Sequence, residues 1–359
     1  MISYLNCNST DYLHTKRFNP SDRAYPECDK MLDEWEEYEK KVKEYINAPE
    51  SAKVIIVSGA SEAAATCMHW VSSVFGEGGT VWGSKLDHTS IKENALNYGL
   101  KYSQEAHIPS STVAIVVTAI NPATGEIYDT RALTNTLRSF TYLSESSSRF
   151  SKNVLMYRPI MILDVSQSIT KIPVDMKELN ANAVFFSLHK LGGHIGSGLL
   201  VINPRPDTPF KPLIAGLQQD KTRGGTYVLQ DVLECRFFEH DDDNIENRRA
   251  VWEMAFKYFK DNGLVLYRPK LPHIYNTFLI NIGKTCPLKI INALCILYNI
   301  YIGTASACKS EQIAKGVSDG KEDNYIRISF KYSSDINRDI LKKIVETTKM
   351  VMSLKEEDM

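Results

Sequence analysis

Between residues 53 and 202 the chain passes repeatedly through short apolar runs: KVIIVSG, GTVWGS, STVAIVVTAI, NVLMYRPIMILDV, NAVFFSLHK and SGLLVIN. Most are apolar on consecutive positions rather than alternating, so as strands they need both faces covered. Segments with helical spacing lie between them, from about Ser61 to Phe75, near 90–98 and near 130–142. Strand–helix alternation of this kind predicts an α/β fold with a mostly parallel mixed sheet, right-handed crossovers and helices on its faces. Upstream, residues 28–47 place Leu32, Trp35, Val42, Tyr45 and Ile46 on one helical face, with charges on the other. The serine-rich LSESSSRFSKN (143–153) reads as an exposed loop. After residue 240 the texture changes. A long helix ending at Gly263 is followed by a strand in HIYNTFLINI, a helix over 287–298, a strand near 299–305, a strand in NYIRISF and a last helix over 334–353. The expected division is a large domain over 16–245 and a smaller α+β domain over 246–359, with residues 1–15 packing near the active site.

At 359 residues the chain exceeds one small core. A net charge of −1 lends no support to a nucleic-acid or anionic-membrane partner. No apolar run approaches the roughly 18 residues of a membrane span, and MISYLNCNSTDYLHTKRFNP lacks a signal-peptide pattern. The expected location is the cytoplasm. Cysteines stand at 7, 28, 67, 235, 286, 295 and 308 without a CxxC pair, so neither a disulfide framework nor a zinc site is expected. The acidic EHDDDNIE lacks the glycine-centred loop of a calcium site and reads as an acid-rich helix start. No metal is expected, and there is no internal repeat.

Ligands of parallel sheets collect outside the carboxyl ends of the strands. The polar residues just after each apolar run are therefore the candidates. They are Ser58-Gly59-Ala60-Ser61-Glu62; His88 in KLDHTS; Asn121 in NPATG; Asp164 and Gln167; and Ser187, His189 and Lys190, with RGGT following at 223–226. A small-residue turn opening a helix is an anion seat. A lysine that can form a Schiff base, an acid for a pyridine nitrogen, a flat side chain and phosphate donors together suit one cofactor, pyridoxal 5'-phosphate.

In order along the chain, YLNCNST, SGASEA, DHTSI, NPATG, DVSQS, SLHK, RGGT, SACKS and YIRISF resemble the marks of cysteine desulfurases. These are class V aminotransferase-like enzymes of the fold type I architecture, and the resemblance spans residues 3 to about 350. It implies that Lys190 holds pyridoxal 5'-phosphate and moves the substrate's α-proton. Asp164 would pair with the ring nitrogen, Gln167 with the ring oxygen, and His88 would stack on the ring. Ala60, Ser61, Ser187 and His189 would hold the phosphate, with Asn121 a further cofactor contact. Thr226 would reach the phosphate of a neighbouring subunit, implying a homodimer. Arg327, with Asn8, would bind the carboxylate of L-cysteine, and Cys308 would take the sulfur and pass it to an acceptor protein. Several marks depart from the family: its Asn-Asn-Glu-Thr-Gly reads NPATG, its Pro-Lys after the lysine reads His194-Ile195, and LQQDKT precedes RGGT. A selenocysteine lyase, another class V lyase or aminotransferase, and a catalytically weak scaffold are the alternatives.

Overall fold

A computed structural model describes residues 26–129, 142–145, 154–239, 245–305, 324–331 and 333–354. The elements run α1 (Pro26–Tyr45), β1 (Lys53–Val57), α2 (Ala60–Phe75), β2 (Thr80–Trp82), α3 (Thr89–Asn97), β3 (Lys101–Ser103), β4 (Thr112–Thr118), β5 (Tyr142–Glu145), β6 (Val154–Tyr157), β7 (Ile160–Asp164), β8 (Ala183–Ser187) and β9 (Gly198–Ile202). Then come α4 (Leu229–Leu233), α5 (Ile245–Asp261), β10 (Val265–Leu266), β11 (Thr277–Asn281), α6 (Pro287–Tyr298), β12 (Gly303–Thr304), β13 (Tyr325–Ser329) and α7 (Arg338–Ser353).

Seven strands form one sheet in the order β1-β9-β8-β7-β4-β2-β3. The β8–β7, β7–β4, β4–β2 and β2–β3 pairs are parallel, and β9 is antiparallel to both β8 and β1. Hence β1, β8, β7, β4 and β2 all point the same way, and their carboxyl ends share one rim. Every residue of β4, β7, β8 and β9 is buried, which is why the sequence shows no wet face. The strand period of two sorts their side chains into two cores. Met161, Leu163, Val184, Phe186, Leu199 and Val201 meet α1 through Tyr38, Val42 and Ile46. On the other face Ile160, Ile162, Phe185, Leu200 and Ile202 meet α2 and α3 through Met68, Trp70, Val71 and Ile91. Each such aliphatic or aromatic side chain contributes about 1.5–3 kcal/mol when fully buried.

A third core is built from Trp252 and Phe259 of α5, Phe278 and Ile280 of β11, Ile326 and Ile328 of β13, and Leu341 and Ile344 of α7. Its sheet runs β10-β11-β13-β12, antiparallel throughout.

Two expectations change. Residues 142–145 are a strand rather than the close of a helix and the start of a loop: Tyr142 pairs with Tyr157 and Glu145 with Val154 in an antiparallel ladder. Backbone pairing with β6 stabilises this polar segment, and that signal is absent from its composition. NVLMYRPIMILDV accordingly carries two strands in different sheets. The expected helix near 130–142 otherwise lies outside the described residues, as do the acids at 241–243.

Candidate active site

The chain from β1 turns at Gly59, whose φ of 144° and ψ of 178° suit glycine alone. That turn opens α2 at Ala60, where the first N–H groups have no acceptor within the helix. Ser187 Oγ, at the end of β8, accepts from the Ala60 N–H at 2.8 Å. This bond spans β9, and the close approach depends on Gly198. A Cβ there would lie 2.7 Å from Gly59 Cα and 2.9 Å from the Phe186 carbonyl oxygen. Glu62 in the first turn takes the Ser58 N–H at 2.7 Å and pairs with Arg223 through both oxygens, at 2.5 and 3.2 Å. Burial raises the Glu62 carboxyl, but Arg223 and Ser58 outweigh it and hold it below the usual range. The pair fixes RGGT beside the α2 N-terminus and leaves Thr226 exposed.

After β8, Leu188–Leu191 form one tight helical turn that ends at Gly192 with φ 91°. Leu188 and Leu191 are buried, so the turn presents His189 and Lys190 outward. Lys331 reaches across to the Leu191 carbonyl oxygen at 3.2 Å. Burial and the charge of Lys190 both lower His189.

Asp164 ends β7 opposite Thr118 and Phe185 and is 7% exposed. One carboxylate oxygen accepts from the Ser166 N–H at 3.0 Å; the other has no hydrogen-bond partner among the described residues. Past β2, His88 caps α3: its Nδ1 accepts from the Ser90 N–H at 3.2 Å and lies 2.8 Å from Ser90 Oγ. A neutral ring held this way carries its proton on Nε2. Burial, then Lys190, lower the His88 pKa while Asp164 opposes them, so these three groups form one electrostatic cluster. Beside them Asp87 is buried, accepts from Thr118 Oγ1 at 2.7 Å, and is pushed up to about 6 by burial.

Gln167 Oε1 lies 3.4 Å from Lys171 Nζ. Asn121 is buried and bonds within its own turn, accepting from the Ala123 and Thr124 N–H groups at 2.9 and 3.2 Å. Arg327, in β13, enters the rim from the smaller unit and donates to the Pro122 carbonyl oxygen at 3.1 Å. Gly303, its cross-strand neighbour, makes room: a Cβ there would be 3.2 Å from the guanidinium. Asn8 and Cys308 lie outside the described residues.

Residues 9–231 match the family described as Aminotransferase class-V. The chain belongs to that family. Among its relatives is a cysteine desulfurase IscS of Pseudomonas putida (strain W619), 24% identical over 350 residues, covering 87% of this chain and 80% of that protein. A putative cysteine desulfurase NifS of Bacillus subtilis (strain 168) is 34% identical over 242 residues, covering 61% of this chain and 58% of that protein. Among solved structures a NifS-like protein superposes with a TM-score of 0.76 at 20% identity, covering 94% of this chain and 92% of the other. An apo cysteine desulfurase from Thermococcus onnurineus NA1 gives 0.70 at 17%, covering 94% and 88%. These likenesses make the architecture fold type I, as expected.

Class V members are pyridoxal-phosphate enzymes, and this rim suits that group. It offers an open carboxylate oxygen on Asp164, a projecting amine on Lys190, a flat neutral ring on His88 and a glycine turn at a helix start. Sequence reading left out Lys171, whose ammonium is pushed down to about 8 by burial and by Lys190, Arg248 and Arg327. It also gave no role to Asp87 or to the Glu62–Arg223 pair. Only their places next to His88, Ser61 and RGGT hinted at them.

Proposed function

We propose that this class V protein is a pyridoxal-phosphate-dependent cysteine desulfurase, converting L-cysteine to L-alanine and holding the sulfur as a persulfide on Cys308. The observation that carries the reading is the meeting of Lys190, Asp164 and His88 at one rim with Arg327 brought in from the second core. The named relatives point to the same chemistry. When bound, pyridoxal phosphate supplies an electron-accepting ring that acidifies the substrate's α-carbon.

This chain's residues do the rest. Lys190 would hold the cofactor through its aldehyde, and its free amine would carry the substrate's α-proton. Asp164, with one oxygen left open, would pair with the ring nitrogen. Ala60 and Ser61, with Ser187 and His189, would hold the phosphate; Gln167 would donate to the ring oxygen; His88 would cover a ring face. Asn121 acts through its turn. The planar fork of Arg327 binds the α-carboxylate, assisted by Asn8. The Cys308 thiolate forms an S–S bond to the substrate sulfur as the C–S bond breaks. The electron pair stays with the alanine carbon, which takes a proton, so cysteine and thiol become alanine and persulfide in balance. An acceptor protein then removes the sulfur. The working form is a homodimer in the cytoplasm, with Thr226 reaching the neighbouring site.

The test is cysteine added to purified protein loaded with pyridoxal phosphate. The protein should absorb in the near-visible. Lys190→Ala should lose that band, and Cys308→Ser should keep it while releasing no sulfide. Normal sulfide release by Cys308→Ser removes that residue as nucleophile. A preference for selenocysteine or for amino-group transfer would redirect the substrate assignment.

A further inference from the structure

Lys171 is held at the rim by a turn that is itself strained. The Ser168 and Ile169 N–H groups both donate to the Val165 carbonyl oxygen, at 3.0 and 2.9 Å, and the Lys171 and Ile172 N–H groups both donate to that of Ser168, each at 2.9 Å. Thr170 lies inside this turn with φ 66°. That left-handed conformation is costly for a β-branched residue, and such strain collects where a site needs a particular placement. Here it returns the chain so that Lys171 Nζ comes within 3.4 Å of Gln167 Oε1. The charged groups acting on it are Lys190, Arg248 and Arg327, all cationic. Among the described residues no carboxylate pairs with it. A surface lysine in a loop would sit in water with its charge solvated; this one is half-buried in cationic company.

We propose that Lys171 is a positioning residue: it holds Gln167 Oε1, turning the Gln167 amide N–H groups toward the rim between Asp164 and Lys190, and it sets a second positive charge beside Lys190. The role rests on the desulfurase reading of the site. An amide whose oxygen is engaged can offer only donors to its other neighbour. That is the polarity required to hold an anionic ring oxygen. A second cation beside Lys190 disfavours adding a proton to the nitrogen that would carry the cofactor.

Two measurements test this. In the first, wild type, Lys171→Gln and Lys171→Arg are loaded with pyridoxal phosphate, and the near-visible spectrum is followed against pH. The midpoint of the spectral change should rise by about one pH unit in Lys171→Gln, and Lys171→Arg should restore most of it. An unmoved midpoint in Lys171→Gln overturns the proposal. In the second, cofactor-free wild type is acetylated at a series of pH values, and modification of the Lys171 peptide is read by mass spectrometry. Half-maximal reactivity should come near pH 8. A value near 10, the behaviour of a solvated lysine, overturns the placement even where a variant fails to fold. If wild type takes up no pyridoxal phosphate while Lys171 still reacts near pH 8, the desulfurase reading fails and the placement stands.

Discussion

Replacing Asp87 with Asn should abolish a pH dependence of stability that the buried carboxyl creates. Asp87 is 4% exposed and accepts from the Ser84 N–H at 3.0 Å, Ser84 Oγ at 2.9 Å, the Tyr102 hydroxyl at 2.8 Å and Thr118 Oγ1 at 2.7 Å. All four favour the ionised form, yet burial outweighs them and lifts the carboxyl from 3.8 to about 6. The native state therefore keeps a proton that the unfolded chain has already lost. The contribution to stability is fully present below about pH 3.8 and is lost as pH rises through about 6. The whole interval is worth about 3 kcal/mol, of which about 1.4 kcal/mol is lost between pH 5 and 7.5. The assay is urea unfolding followed by tryptophan fluorescence, with wild type and Asp87→Asn compared at each pH. The stability of wild type relative to the variant should fall by about that amount from pH 5 to 7.5. A flat difference would refute the dominance of burial, and a rising one would show that the four donors hold the carboxylate ionised.

Two substitutions probe the anion seat. Gly198→Ala drives a methyl group against Gly59 Cα and the Phe186 carbonyl oxygen. It should cost about 1–3 kcal/mol in thermal unfolding and weaken pyridoxal phosphate uptake, because the Gly59 turn must move. Ser187→Ala removes the hydroxyl that holds the Ala60 N–H. It should cost about 1 kcal/mol, with a several-fold loss in cofactor affinity measured by titration; unchanged affinity would separate Ser187 from the phosphate.

The apolar runs were legible because strands covered on both faces leave no polar positions. That holds for β4, β7, β8 and β9, and the polar residues following β4, β7 and β8 are the ones now found at the rim, β9 running the other way. The expectation broke down where pairing rather than burial makes the strand. Lys101–Ser103 takes its form from the register with β2, and Tyr142–Glu145 from a ladder with residues across a polar stretch. Neither signal exists in local composition. Lys171 was hidden for a different reason. A lysine in a loop is solvated by default, and only the left-handed Thr170 and the neighbouring cations mark this one as turned inward. Asp87 was hidden likewise, since a short acid before a helix reads as a cap, whereas here His88 is the cap and Asp87 faces the sheet.

The NPATG turn departs from the family pattern and still anchors Arg327. Proline at 122 removes an asparagine side chain and an N–H, but it keeps a carbonyl, and that oxygen is what Arg327 grips. The turn is then held to the smaller unit by Glu126, which is 5% exposed. Glu126 accepts from the Tyr267 hydroxyl at 3.1 Å, the Lys270 N–H at 2.6 Å and Thr124 Oγ1 at 3.0 Å. Backbone bonds from Ile127 to Pro272 and from Ile274 to Gly125 close the same junction. A buried side chain with this many donors is expensive to disturb, since removing it strands partners away from water. The position of the guanidinium at the rim is therefore set by contacts between segments some 140 to 200 residues apart in sequence. The side chain at 121 is spent on its own turn, and the backbone at 122 carries the anchoring. The placement of Arg327 at the rim thus depends on the shape of the 121–127 turn, and this turn tolerates the proline because no bond that anchors it uses an N–H at 122.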